Sequence, residues 1–150
     1  MKKKSIGIKL VKVLLCIFCI FALLFSNGCG LSDWGYDMQN GYAIWRINSR
    51  QIECGKIDGP NSIDPVVEDY VVRFSYNSEY IFLQCVEVDV KNVDEEINKD
   101  NPMYYLIDVK TDEVKGPLTK SEFIVTTIDI VGTQDELSWI ETDPKPEGAE

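Results

Sequence analysis

The chain carries no histidine, and that absence limits what its reactive side chains can do. Ser-His-Asp and Cys-His catalysis, histidine-bearing zinc sites and the usual proton shuttle near neutral pH are all removed. The densest group of acids is Asp94, Glu95, Glu96 and Asp100, and a further pair, Asp108 and Asp112, flanks a turn. A calcium loop needs ligands at alternating positions, a glycine at its sharp bend and a final bidentate glutamate. Lys99 and the missing glycine break that pattern, so the run reads as a solvated loop. Asp108 and Asp112 read as turn caps, because a glycosidase pair needs a cleft and a set separation that the sequence does not show. Arg46, Ser49 and Arg50 offer three polar groups near one turn for a small anion. The sequence has no glycine-rich phosphate loop, paired CxxC motif or internal repeat. The expectation is a chain that is not an enzyme and takes no cofactor or metal.

Cysteine carries the remaining chemistry, and the N-terminus decides which cysteines matter. Lys2, Lys3, Lys4, Lys9 and Lys12 form a basic start, followed by thirteen apolar residues from Val13 to Phe25. Such a run is about 20 Å long as a helix, short of the roughly 30 Å bilayer core, and suits a signal peptide better than a stable span. Ser26, Asn27 and Gly28 supply the small residues that a signal peptidase accepts, and Cys29 follows. These residues resemble the lipobox of bacterial lipoproteins, with Gly28-Cys29 matching its last two positions and Ser26 standing where leucine is usual. The resemblance implies cleavage between Gly28 and Cys29 and a diacylglyceryl group on the Cys29 thiol. Two acyl chains give lasting anchorage at about 0.8 kcal/mol per buried CH₂, where one gives only marginal binding. The other readings are a plain secretory peptide cleaved nearby and an uncleaved anchor reaching back to Ile6.

Cys16 and Cys19 leave with the signal, so Cys54 and Cys85 remain beside Cys29. They either form one disulfide closing a loop of about 30 residues, worth roughly 3 kcal/mol, or stay as two buried thiols on strands. Residues 29–150 carry a formal charge of −15. That balance argues against nucleic acid, whose binding rests on neutralising phosphates, and against lying flat on anionic lipid.

The elements that must position these residues are mainly β. Residues 29–40 read as a tether in which Trp34 and Tyr36 either dip into the lipid interface or cover the edge of the domain. Residues 41–140 read as the folded domain and 141–150, with two prolines and four acids, as a disordered tail. Alternation predicts strands at Tyr42–Ile47, Gln51–Cys54, Tyr70–Tyr76, Tyr80–Val90, Tyr104–Val109 and Glu113–Lys115. A loop is expected over Lys56–Pro65, a bulge near Cys85-Val86, an acidic loop over Lys91–Pro102 and a stop at Gly116-Pro117. Thr119-Lys120-Ser121-Glu122 is a capping box, after which Phe123, Ile124, Thr127, Ile128 and Val131 fall on one helical stripe and Gly132 ends it. The fold class is therefore α+β: an antiparallel sheet of five or six strands with one C-terminal helix, preceded by a signal peptide.

The blocks Asn40–Ser49 and Tyr104–Thr119, the second ending Gly116-Pro117-Leu118-Thr119, are similar to a family of small Gram-positive lipoproteins with a domain of unknown function. The resemblance spans about residues 29–130 and implies a lipoprotein with a mixed β domain, but no activity. The functional expectation is a lipid-anchored protein on the extracytoplasmic face of the cell membrane, acting as a binding or interaction module with an envelope protein partner. The alternatives are a solute-capturing accessory of a transport system and a secreted hydrolase. Intact mass of the membrane-purified protein is expected to show a start at Cys29 plus diacylglyceryl. Cys29→Ala should appear without that added mass; an unmodified wild-type chain beginning elsewhere would remove the anchor.

Overall fold

The computed structural model describes residues 33–89, 91, 96–132 and 137–150. The signal segment 1–28, Gly28, Cys29 and the acids Asp94 and Glu95 lie outside the described residues. The described elements are β1 (Trp34–Asp37), β2 (Tyr42–Asn48), β3 (Gln51–Gly59), β4 (Ser62–Val67), β5 (Tyr70–Tyr76), β6 (Tyr80–Val86), β7 (Met103–Asp108), β8 (Glu113–Leu118), α1 (Lys120–Val131) and β9 (Ile140–Glu141). They form two antiparallel sheets, ordered β1-β2-β3-β4 and β8-β7-β6-β5-β9.

The α+β class and the C-terminal helix stand, while the single sheet becomes two. The division falls between β4 and β5: Val67 still pairs with Cys54, but Tyr70 pairs with Val86 in the other sheet. Ile44, Ile52 and Cys54 of the first sheet share one buried cluster with Phe74, Leu83 and Ile107 of the second. The opposite face of the second sheet supplies Phe82, Tyr104 and Leu106, which bury Phe123 of α1. The alternation along β6 is the sequence form of this arrangement: Ile81, Leu83 and Cys85 face the first sheet, and Phe82 faces the helix.

Several boundaries shift from the sequence expectation. The tether stretch contains β1, whose Trp34 and Tyr36 join the intersheet core, and the Tyr36 ring meets Phe74 edge-on at 5.1 Å. The expected loop Lys56–Pro65 is a hairpin, because β3 runs on to Gly59 and β4 includes Pro65. Pro65 is tolerated there because β4 is an edge strand, whose outward side needs no N–H. The register shift near Cys85 lies on the partner strand, between Val71 and Arg73 of β5, and β6 ends at Val86. Gly116-Pro117 does not end β8, which continues to Leu118. Gly116 has φ +152, and a Cβ there would stand 2.3 Å from the Tyr105 ring, so the strand passes only because this residue is glycine. The segment 141–150 is ordered by contacts. Thr142 is buried and its hydroxyl donates to the Val71 and Val72 carbonyls, and Glu150 pairs its backbone with Gly35 in both directions at 2.9 Å.

The helix forms as its capping box dictates. Thr119 Oγ1 accepts from the Glu122 amide, and Glu122 Oε2 accepts from the Thr119 amide at 2.8 Å. Gly132 closes the other end at φ 72, its amide donating to the Ile128 carbonyl. Phe123 stacks on Tyr104 with ring centres 5.0 Å apart, which outweighs the poor helix propensity of the β-branched run behind it. Phe123→Ala is expected to lower unfolding free energy by about 3–5 kcal/mol, read as a lower urea midpoint at unchanged slope. Val125, which is 73% exposed, should change it by no more than about 0.5 kcal/mol when replaced by alanine. Equal effects at the two positions would sink the packing assignment.

Candidate ligand-binding cleft

The register of the first sheet sorts its residues onto two faces. Trp34, Tyr36, Ile44 and Cys54 turn to the core, so their neighbours Gly35, Asp37, Ala43, Trp45 and Gly55 take the outer face. Asp37, Ala43, Gly55 and Pro65 form one cross-strand row, and Gly35, Trp45 and Glu53 form the next. The middle of the first row carries the small residues Ala43 and Gly55, both buried, which lets the β3–β4 hairpin close over them.

The β3–β4 hairpin extends beyond the start of β2, where the Ile57 amide donates to the Gly41 carbonyl at 3.0 Å. It is bent at the register shift between Cys54 and Gly55. At the bend the Asp64 carbonyl oxygen lies 2.5 Å from where a Gly55 Cβ would be, so no other residue fits. A cleft of about 670 Å³ results, bordered by Trp45, Ala43, Asp37, the hairpin tip at Asn61 and Ser62, and the closing segment at Glu150. That volume lies inside the range of about 300–1,000 Å³ typical of small-molecule sites.

Trp45 is the cleft's largest outer-face side chain. A Cβ on Gly35 would stand 2.9 Å from its Nε1 and 3.2 Å from Cε2, so the indole lies directly on the bare β1 backbone. Asp37 Oδ1 accepts from the Gln39 amide at 2.6 Å, fixing the carboxylate at the rim. Trp34 and Arg46 are cross-strand partners that also border the cleft. Trp34 Nε1 and Arg46 Nε are buried without a hydrogen-bond partner among the described residues.

The expected anion group does not converge on one ligand position. Arg46 borders this cleft, whereas Arg50 Nε donates to the Asp89 carbonyl at 3.1 Å, beside a separate recess of about 220 Å³ that also holds Glu53, Glu68 and Asp69. Ser49 is exposed in the intervening turn. Among the described residues no group of three or more His, Cys, Asp or Glu side chains is placed to hold a metal ion. Asp108 caps its turn by accepting from the Lys110 and Thr111 amides.

Asp112 does more than cap. Its carboxylate accepts from the Tyr42 hydroxyl at 2.8 Å and pairs with Lys56 Nζ at 2.6 Å, tying the β7–β8 turn to the first sheet. Tyr105 donates to Asp69 and makes a second tie, from β7 to the segment between β4 and β5. Cys54 and Cys85 are free, buried thiols on strands of opposite sheets, so the disulfide reading gives way to separate thiols. Burial pushes the Cys54 thiol up to about 12 and raises Cys85 well above its ordinary value, leaving little thiolate at neutral pH to attack anything.

A family model described as Protein of unknown function (DUF3997) matches residues 39–131, the stretch that carries β2 through α1. Neither the curated proteins nor the solved structures hold a match to the chain. Trp45, Arg46 and the hairpin tip fall within the matched stretch, whereas the β1 wall and Glu150 fall outside it.

The titratable ties give the domain a stability that depends on pH at both ends. Lys56 and then Tyr42 lower the Asp112 carboxyl below 3.8, so its contribution is present above 3.8 and is lost as pH falls through the lowered value. Burial first, then the carboxylate partner, raises the Tyr42 and Tyr105 phenols above 10.0. Their contribution is present below 10.0 and is lost as pH rises toward the raised values. Thermal midpoints should therefore fall at both extremes. Asp112→Asn should flatten part of the acid limb and Tyr105→Phe part of the alkaline limb; parallel curves for wild type and variants would refute the assignment.

Proposed function

The chain belongs to the family described as Protein of unknown function (DUF3997), and from that premise we propose that it is a membrane-anchored binding module whose ligand seat is the outer-face cleft. The proposal takes the anchor from the basic and apolar N-terminus ending at Gly28-Cys29. Lipid on Cys29 then holds the domain on the extracytoplasmic face, in the manner of small Gram-positive lipoproteins. The observation that carries the binding role is the cleft, which is of ligand size and walled by one indole and several polar side chains. The same half-open recess favours a second reading, a solute-capturing accessory that passes its ligand to a neighbouring membrane system.

A thermal-shift screen of the full chain against small solutes and soluble envelope fragments tests the binding role. A true ligand at 100 times its Kd should add about 2.7 kcal/mol of stability. Gly35→Val, which displaces Trp45 from its bed, should remove that gain. A flat screen, or gains that survive Gly35→Val, would end the proposal. Loss of solute uptake in a deletion strain would favour the accessory reading over simple attachment.

A further inference from the structure

The chemistry of the cleft narrows the class of ligand, and this step rests on the cleft being the binding seat. Asp33, Asp37 and Glu150 border it, whereas Arg46, cross-strand from Trp34 and Ile52, turns its side chain to the core side, and residues 29–150 carry a formal charge of −15. Phosphates and carboxylates would meet repulsion on entry. The walls are rich in acceptors, so the ligand must be rich in donors. Gln39, Asn61 and Ser62 each both donate and accept, which matches groups that do the same.

An organic cation is a donor, but one observation disfavours it. Trp45 is the one ring among the bordering residues that the register assigns to the outer face. Aromatic cages for ammonium groups need several rings. One flat indole is instead the geometry for an apolar ring face. The C–H groups on one side of a pyranose carry small positive charge and settle on the negative face of the indole, while the hydroxyls radiate in the ring plane. The row from β1 to β3 spans two strand spacings, about 10 Å, and the cleft of about 670 Å³ that Trp45 borders with Asn61 and Ser62 is large enough for a ring.

We infer that the cleft takes a neutral sugar, one ring stacked on Trp45 and its hydroxyls held by Asp37, Gln39 and the Asn61-Ser62 tip. The test is titration of the full chain, in a detergent without a sugar headgroup, followed by tryptophan fluorescence. The probes are cellobiose, N,N′-diacetylchitobiose, choline and glucose 6-phosphate. At least one disaccharide should give a saturable change, weakened about tenfold or more by Trp45→Ala and largely kept by Trp45→Phe. Asn61→Ala, at an exposed turn, should weaken it without altering the thermal midpoint. No saturable response to either disaccharide, tighter binding of choline or glucose 6-phosphate, or a response indifferent to both Trp45→Ala and Asn61→Ala would overturn the inference. Tight choline binding that Trp45→Ala abolishes would keep the cleft as a binding seat and remove only the sugar, whereas a chain that also stays silent in the thermal-shift screen loses both readings.

Discussion

The second sheet must be apolar on both faces at once, and the remaining layers follow from that demand. β6 sends Leu83 and Ile81 toward the first sheet and Phe82 toward the helix. β7 divides in the same way, with Ile107 on one side and Tyr104 and Leu106 on the other. A sheet of this kind cannot stand alone in water, since either exposed face would leave a wide apolar patch. The first sheet covers one face and α1 the other. Each covering layer keeps an outer side free of that obligation, and on the first sheet the cleft occupies this side.

Polar ties then fix how the layers meet. Apolar contact between twisted sheets resists sliding weakly, because burial depends on area more than on direction. Asp112, reached from Tyr42 and Lys56, and Asp69, reached from Tyr105, supply that direction at separate places along the intersheet seam. The tyrosines are suited to the task because each rings the core with carbon and presents its hydroxyl at the edge.

Much of this frame can be read in the chain. The alternation of Ile81, Leu83 and Cys85 announces β6 without ambiguity, and Thr119 with Glu122 announces the start of α1 although the β-branched Ile124–Ile128 argues against it. The failures share one cause. Gly55, Gly59, Pro65 and Gly116-Pro117 look like interruptions in a one-dimensional pattern, yet each sits in a strand at a bend, an edge or a close approach. The cleft was hidden for the same reason. Its walls come from residues near 35, 45, 61 and 150, brought together by strand curvature that no local motif encodes. Arg46 drew notice as one of three polar residues near a turn, but its neighbours there, Ser49 and Arg50, do not share its site. Trp45, beside it, carries no signal apart from being large and next to an arginine.

The pairing of Glu150 with Gly35 has a practical meaning for anyone who handles the protein. Anything joined behind Glu150 leaves the fold beside β1, a few residues from the indole of Trp45. A purification tag placed there would crowd the mouth of the cleft. A small fluorophore placed there would instead sit as a built-in reporter, its emission sensitive to whatever occupies the neighbouring space.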